Sequence, residues 1–430
     1  MSQNPFTFGN PINDPNKFIG RDQAVRQIVS RLLSSAHEST SVVGERRIGK
    51  TSLLKHLSDP KIANNYGLNR GEYCLVYIDF QGLTDITPLR FWQRVLRIMS
   101  RRIKNEKILI EMNNISHRER IDLFDLEDLF FIIGNEGLNI VLLMDEFEFV
   151  TQNPNFGSDF FGGLRALAIH SNLSLVPSTR RELVDLCHSE EIKGSPFFNI
   201  FATVLLRPFT SEQVVDLLHG YSIGTGFDFT GEEINFITKL VGGHPIFTQI
   251  GGYYMFDGKL QGMKGTQLYE FVIESFRNQA DQHFKYYWSH SSESEKITLL
   301  AAMAIRISDS KKKKPTKDRI NELHSRASLD INELIKRGMM VEKDEFVYVF
   351  SPVFEQWISI EVAVMPGEEE TVSSVEQWMA EGGYDQFDTV KKTLPKFKKK
   401  YWGAIGNVIK EFTLEVIGKI TVDMITGSLI

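Results

Sequence analysis

Cysteine is scarce: Cys74 and Cys187 are the only two in 430 residues, far apart in the chain. A disulfide framework and a cysteine-based zinc site are thereby excluded, and the usage fits a reducing, cytoplasmic setting. Long apolar runs are missing as well. No window of about 18 uncharged apolar residues occurs, so no spanning helix is expected. The start Met1-Ser2-Gln3-Asn4-Pro5-Phe6 lacks a basic stretch followed by an apolar one, and no signal peptide is expected. A surplus of positive charge is absent too. The net charge of −6 gives no global electrostatic case for nucleic acid, and leaves room only for a local basic patch. No internal repeat is visible.

What is present suits a soluble globular chain of two or three domains, with 42% hydrophobic and 24% charged residues. A helical pattern from about 22 to 33 precedes a short apolar strand, Thr40 to Val43. Further apolar runs read as buried strands: Cys74 to Phe80, Ile140 to Asp145, Leu173 to Pro177 and Ala202 to Leu206. Helical periodicity fills about 89–104, 118–134 and 157–170. Strands alternating with helices predict a mostly parallel sheet covered on both faces, in an α/β domain spanning 1–207. Residues 208–288 read as all helical, opened by the capping box Thr210-Ser211-Glu212-Gln213. Residues 289–362 show three helical pieces and then a hairpin around Lys343-Asp344-Glu345, the outline of a winged helix. A polar linker at 366–370 leads into a mostly helical, amphipathic segment within 363–430.

Chemistry concentrates in three places. The first is Gly44-Glu45-Arg46-Arg47-Ile48-Gly49-Lys50-Thr51, between the strand at 40–43 and a helix that continues through Ser52. Gly44 and Gly49 let successive N–H groups turn toward phosphates at the positive end of a helix. Lys50 supplies a mobile charge for β- and γ-phosphates, and Thr51 a hydroxyl for Mg²⁺. Gly44, Arg47, Ile48, Gly49, Lys50, Thr51 and Ser52 are the expected nucleotide contacts of this P-loop. The second place is the strand end Val141-Leu142-Leu143-Met144-Asp145-Glu146. Asp145 is expected in the Mg²⁺ shell, and Glu146 as the residue that orients or deprotonates the attacking water. The bland alternative is a strand that happens to end in acids, with the pair binding but not turning over. The third is Ser178-Thr179-Arg180, after another buried strand, where side chains are expected to face the ligand crevice. Arg180 is expected to read the γ-phosphate; a helix-capping segment with a surface arginine is the competing reading.

These motifs, in this order, resemble those of STAND-class NTPases, the signal-transducing relatives of AAA+ and origin-recognition ATPases, over roughly residues 5–360. Phe18-Ile19-Gly20-Arg21-Asp22 is similar to the family's motif beside the nucleotide base, so the resemblance implies base contacts for Phe18, Ile19, Gly20 and Arg21. Gly243-His244-Pro245 resembles the Gly-x-Pro motif of the family's helical lid domain, which implies that Pro245 packs by adenine with His244 nearby. The resemblance further implies ATP and ADP with Mg²⁺ as ligands, slow regulatory ATP hydrolysis by Lys50, Glu146 and Arg180, and a homo-oligomer in the ATP state. It also implies an outside protein as trigger or effector, and a place in bacterial defence or stress signalling. Two departures stand out: Met339 to Asp344 holds no histidine where many members have one, and no repeat array appears before Ile430.

The alternative is a DNA-associated ATPase that reads DNA with its winged helix. The candidate reading helix, Leu329 to Gly338, sets Asp330 and Glu333 against Lys336 and Arg337, and the run Lys311 to Lys314 reads as a solvated loop. DNA is therefore the less favoured partner. In the tail, basic and aromatic residues at 391–402 precede apolar residues at helical spacing from Ile405 to Ile420. That pattern suits packing within the fold first, then self-association, then membrane contact.

Overall fold

A computed structural model describes residues 3–308, 315–323 and 326–363. The expectations for the lysine run at 311–314, the linker at 366–370 and the amphipathic tail lie outside the described residues. The chain divides into two compact units, one of residues 9–207 and one joining residues 3–8 to those from 208 onward.

The first unit holds β1 (Thr40–Val43), β2 (Tyr73–Asp79), β3 (Asn139–Asp145), β4 (Leu173–Thr179) and β5 (Ala202–Leu205). All pairings are parallel, in the order β2-β3-β4-β1-β5. Its helices are α1 (Asp22–Leu32), α2 (Lys50–Ser58), α3 (Pro60–Asn65), α4 (Pro88–Ser100), α5 (Glu106–Ser116), α6 (Leu123–Asn135), α7 (Glu148–Thr151), α8 (Ser158–His170) and α9 (Glu190–Lys193). Successive strand residues point to opposite faces, and both faces are buried. Tyr73, Leu75, Val141 and Leu143 pack with α1 and α2, while Cys74, Val76, Ile140 and Leu142 pack with α4, α5, α6 and α8. All five strands fall where the apolar runs placed them. Helix α5 was not anticipated. Its apolar residues Ile108, Met112 and Ile115 follow helical spacing, but Asn105 as its cap is the clearer signal, donating order to the first turn by accepting from the Ile108 N–H.

The second unit contains α10 (Ser211–Ser222), α11 (Gly231–Val241), α12 (Pro245–Leu260), α13 (Gly265–Ser289), α14 (Glu293–Ser308), α15 (Lys317–Leu323) and α16 (Ala327–Lys336). The hairpin β6 (Met340–Lys343) and β7 (Phe346–Val349) follows, then α17 (Pro352–Ala363). The capping box at Thr210 and Gln213 is formed. The hairpin turn is tighter than expected: Lys343 pairs with Phe346, leaving Asp344 and Glu345 at φ 49° and 72°. Two consecutive left-handed residues are what a two-residue turn between twisted strands requires. Helix α17 went unanticipated because its buried side chains Val353, Phe354, Glu355, Gln356 and Trp357 run nearly all round it, without a polar stripe.

Residues 3–8 belong to the second unit through Phe6, which is buried and stacks on Tyr221 with centroids 5.2 Å apart. Phe229 and Phe256 close around the same ring, and Asn4 donates to the Tyr253 carbonyl. Phe6→Ala is expected to destabilise this unit by about 3–5 kcal/mol, measured by chemical denaturation followed by tryptophan fluorescence; a loss near zero would mean that the segment is not part of the core.

Candidate functional site

The glycine loop joins β1 to α2 and is shaped by its backbone. Gly49, before the first residue of α2, has φ 104°, and Arg47 has φ 65°. Alternating the sign of φ along a loop turns its N–H groups to one side, in front of a helix whose first N–H groups lack partners. Gly44 admits no side chain: a Cβ there would stand 2.8 Å from Ile48 Cγ2 and 3.1 Å from the Leu206 carbonyl oxygen. The Gly44 N–H donates to the Thr179 carbonyl, which ties the loop to β4. Lys50 is buried, and its Nζ donates to the carbonyls of Gly44 (2.9 Å) and Glu45 (3.4 Å). The ammonium therefore lies across the loop it serves. Ile48 faces the other way, into the core shared by α1 and α2, so only its backbone is available to a ligand.

Arg21 stands behind this loop. It is buried, and its guanidinium donates to the carbonyls of Ile48 (2.7 Å) and Arg207 (2.8 Å). Burial pulls its pKa down to about 10, which still leaves it charged at neutral pH. Its observed work is to brace the loop. Phe18 stacks on His56 of α2 with centroids 4.0 Å apart.

Asp145 ends β3 with 1% of its surface exposed. A buried carboxylate needs donors, and both neighbouring strands supply one. Ser178 Oγ of β4 donates to Oδ1 at 2.6 Å, and Tyr77 of β2 donates to Oδ2 at 3.0 Å. Burial and the Asp145 charge push the Tyr77 phenol far above its ordinary pKa, so it stays a donor. The hydroxyls of Ser178 and Thr179 both have partners within the unit. Ser178 is turned to Asp145, and Thr179 Oγ1 donates to the Arg181 carbonyl at 2.7 Å. The reason is the buried charge next door, which outcompetes solvent for the serine proton.

Directly after Asp145, Glu146 is half-buried and holds φ 52°. Non-glycine residues occupy that region at a cost of about 1–3 kcal/mol, and such strain gathers at functional sites. The turn it makes is secured by the Phe147 N–H donating to the Ser178 carbonyl, with Phe147 itself in the core.

Sequence reasoning missed Glu148. It is 6% exposed, and its Oε2 is buried with no hydrogen-bond partner. Burial first, and then the charge of Glu146, raise its pKa to about 7, against the opposing pull of Lys50 and Arg180. The signal was there: Asp145-Glu146-Phe147-Glu148 carries a third carboxylate beside the expected two. Arg180, half-buried after β4, also keeps its Nε buried without a partner. Lys50 after β1, Glu146 after β3 and Arg180 after β4 are thus all within electrostatic reach of Glu148. This set fits a nucleotide polyphosphate: a glycine loop ahead of a helix N-terminus, a lysine, an arginine with an idle donor, and carboxylates beside them. Asp145, whose oxygens keep further lone pairs, and Thr51 are the residues that would hold Mg²⁺.

In the second unit, Pro245 occupies the first turn of α12, and His244 precedes it as the cap residue. His244 is fully buried, with Nε2 at 2.7 Å from the Tyr287 hydroxyl. The Phe209 N–H donates to the Gly243 carbonyl at 2.7 Å. Packing and helix initiation thus account for Gly243, His244 and Pro245 within their own unit.

A family model described as novel STAND NTPase 2 matches residues 27–306. No curated protein matches the chain. Among solved structures, the Walker-type ATPase PABY2304 of Pyrococcus abyssi is similar with a TM-score of 0.54 at 18% identity, covering 81% of this chain and 98% of its own. The Aeropyrum pernix ORC2 protein, in ADPNP–ADP complexes, gives a TM-score of 0.49 at 12% identity, covering 80% and 93%. The first of these likenesses establishes the fold. Among the described residues, no helix is long and apolar enough to cross a membrane.

Glu148 has a consequence for stability. Its folded pKa lies above the unfolded value, so the folded state holds the proton more tightly. The stability this confers is present at acid pH and lost as pH rises through about 7. Glu148→Gln should leave stability near pH 4 unchanged and raise it at pH 8 by about 2–3 kcal/mol, flattening the pH dependence. Denaturant melts at both pH values test this, and equal effects at both would show that Glu148 does not titrate in this way.

Proposed function

The chain belongs to the novel STAND NTPase 2 family, and from that premise we propose that it is an ATP/ADP-controlled signalling switch that hydrolyses ATP slowly and assembles in the ATP state. One observation supports the reading: the Gly44 N–H on the Thr179 carbonyl and the Ser178 hydroxyl on Asp145 draw the glycine loop and the ends of β3 and β4 together, with Lys50 lying across that loop. An arginine and a lysine on one side, with a carboxylate on the other, distinguish a triphosphate from a diphosphate by charge. Glu146 accepts a proton from, or orients, the attacking water; Lys50 leaves the loop carbonyls for phosphate oxygens; Arg180 turns its idle donor to the γ-phosphate. Bound Mg²⁺ would neutralise charge on the phosphates. Asp145 is held rigid for that duty by Tyr77 and Ser178.

A switch requires only that the triphosphate bind one arrangement of the chain more tightly than the diphosphate does. Slow hydrolysis then resets it. The helical segment and the hairpin unit would serve as lid and winged-helix domains, with the trigger or effector supplied by a partner protein in bacterial defence or stress signalling. The rival role, reading DNA through α16, loses support from its charges. Asp330 accepts from Ser294 and Thr298, and Arg337, next to the helix, pairs with Glu295 at 3.0 Å, both 5% exposed. Arg337 is thereby turned into the unit's interior and is not available to phosphates.

The purified chain is expected to be a monomer with ADP and a larger assembly with ATP and Mg²⁺ when Glu146→Gln slows hydrolysis, measured as mass in solution. Lys50→Ala should abolish both assembly and turnover. An unchanged mass in the two nucleotide states would reject the switch; turnover that survives Lys50→Ala would reject the site.

A further inference from the structure

Charge is unevenly spread in the first unit. Between residues 88 and 120, nine lysines and arginines face three glutamates, in a chain whose net charge is −6. Some of this surplus is neutralised: Lys107 pairs with Glu136, and Arg118 with Asp125. Arg90, Arg94 and Arg97 are different. They recur at four- and three-residue spacing, hence on one face of α4, and none of them meets a carboxylate among the described residues. Arg94 is half-buried, with its Nε buried and unpartnered and its Nη2 on the Asp79 carbonyl at 3.3 Å.

These three arginines line one cleft of about 970 Å³, bounded by α4, α5 and the loop that follows β2. That volume lies in the range of small-molecule sites, which combine apolar walls with a few convergent polar groups. Here Leu83 and Leu109 supply apolar wall, with Ile86 and Met112 buried behind it, and Asn113, Ser116 and His117 supply hydrogen-bonding groups. Asp85 is the one carboxylate in the lining. From Arg90 to Arg97 the helix rises roughly 10 Å, a span that a chain of two or three phosphates bridges with arginine side chains reaching in. The guanidinium fork suits phosphate oxygens in bidentate geometry.

We propose that this cleft is a second ligand site, for a small phosphorylated molecule of the nucleoside polyphosphate class, with its phosphates on Arg90, Arg94 and Arg97 and its ring part on the apolar wall. It is separate from the glycine loop. Strand β2 is three strand spacings, about 14 Å, from β1. It is also connected to the first site. Arg94 holds the carbonyl of Asp79, the residue in register with Asp145, and Tyr77 two residues earlier donates to the Asp145 carboxylate. A ligand that draws Arg94 away alters the end of β2 that carries this donor. The site thus offers the first unit a place to receive a chemical signal.

The test uses the full chain carrying Lys50→Ala, which silences the glycine loop, with inorganic tripolyphosphate and ATP as probes, each without Mg²⁺. Calorimetry is expected to show binding of both, ATP more tightly, with amide hydrogen exchange slowed in residues 82–117. Replacing Arg90 and Arg97 by glutamine should weaken binding by about tenfold or more. Both side chains are exposed, so the variant's unchanged melting temperature serves as the control for folding. The proposal is overturned by absent binding, by binding that the arginine replacements leave intact, or by protection elsewhere in the chain. It is equally overturned if a single- or double-stranded DNA oligonucleotide binds this face and tripolyphosphate does not, since the stripe would then be a nucleic-acid surface.

Discussion

The carboxylate of Asp145 is the constraint around which the first unit is organised. An ionised group almost fully removed from water must find donors, or its burial would cost several kcal/mol. It finds them one strand away on either side, in Tyr77 and Ser178. This requires β3 to lie between β2 and β4 in one register, and β1 pairs with the other edge of β4. The loop after β1 is then fastened to β4 by the Gly44 N–H on the Thr179 carbonyl, one residue beyond the serine that holds Asp145. The glycine loop and the acidic strand end are therefore coupled through two consecutive residues of one strand. A displacement at either is felt at the other.

The same register explains the strain at Glu146. With Asp145 fixed by its two donors and Phe147 drawn into the core beneath α4 and α8, the chain has one residue in which to reverse. Glu146 absorbs the reversal at φ 52°. Such strain persists only where the surrounding structure over-determines it, as the fixed neighbours on either side do here. Glu148 then follows within the next turn, where burial and the charge of Glu146 hold its carboxyl near neutrality. Glu148 therefore holds a proton more tightly than an ordinary carboxylic acid does.

The parts of this arrangement visible in the amino-acid order are those that obey local periodicity. The five strands are apolar runs bounded by turns, the loop is set by its glycines and lysine, and Asp145 and Glu146 stand at the end of such a run. What escaped was non-local. Nothing near Tyr77 in the chain says that its hydroxyl meets residue 145; that follows only from parallel pairing across 68 positions. The partners of Ser178 and Thr179 are equally non-local or conformational: Asp145 for one hydroxyl and the Arg181 carbonyl for the other. Glu148 was passed over because a carboxylate on a short helix is ordinarily solvated, and only the folded unit shows it to be 6% exposed.

A chain with a net negative charge has reason to keep its basic residues in pairs, since each unpaired cation draws the solvated acids of neighbouring molecules. Lys107 and Arg118 follow that rule, whereas Arg90, Arg94 and Arg97 on α4 do not. Their aliphatic stems lie beside a helix face already occupied by Phe91, Trp92, Val95 and Leu96, all buried in the sheet's core, so the helix would be equally amphipathic with glutamine or glutamate in their place. Packing demands nothing of the exposed Arg90 and Arg97, while Arg94 reaches the Asp79 carbonyl, and helix propensity separates arginine from glutamine and glutamate by little. Stability gives no reason for three like charges within two turns, which repel one another. Their placement is accounted for by an anion, and the cleft they line determines its size.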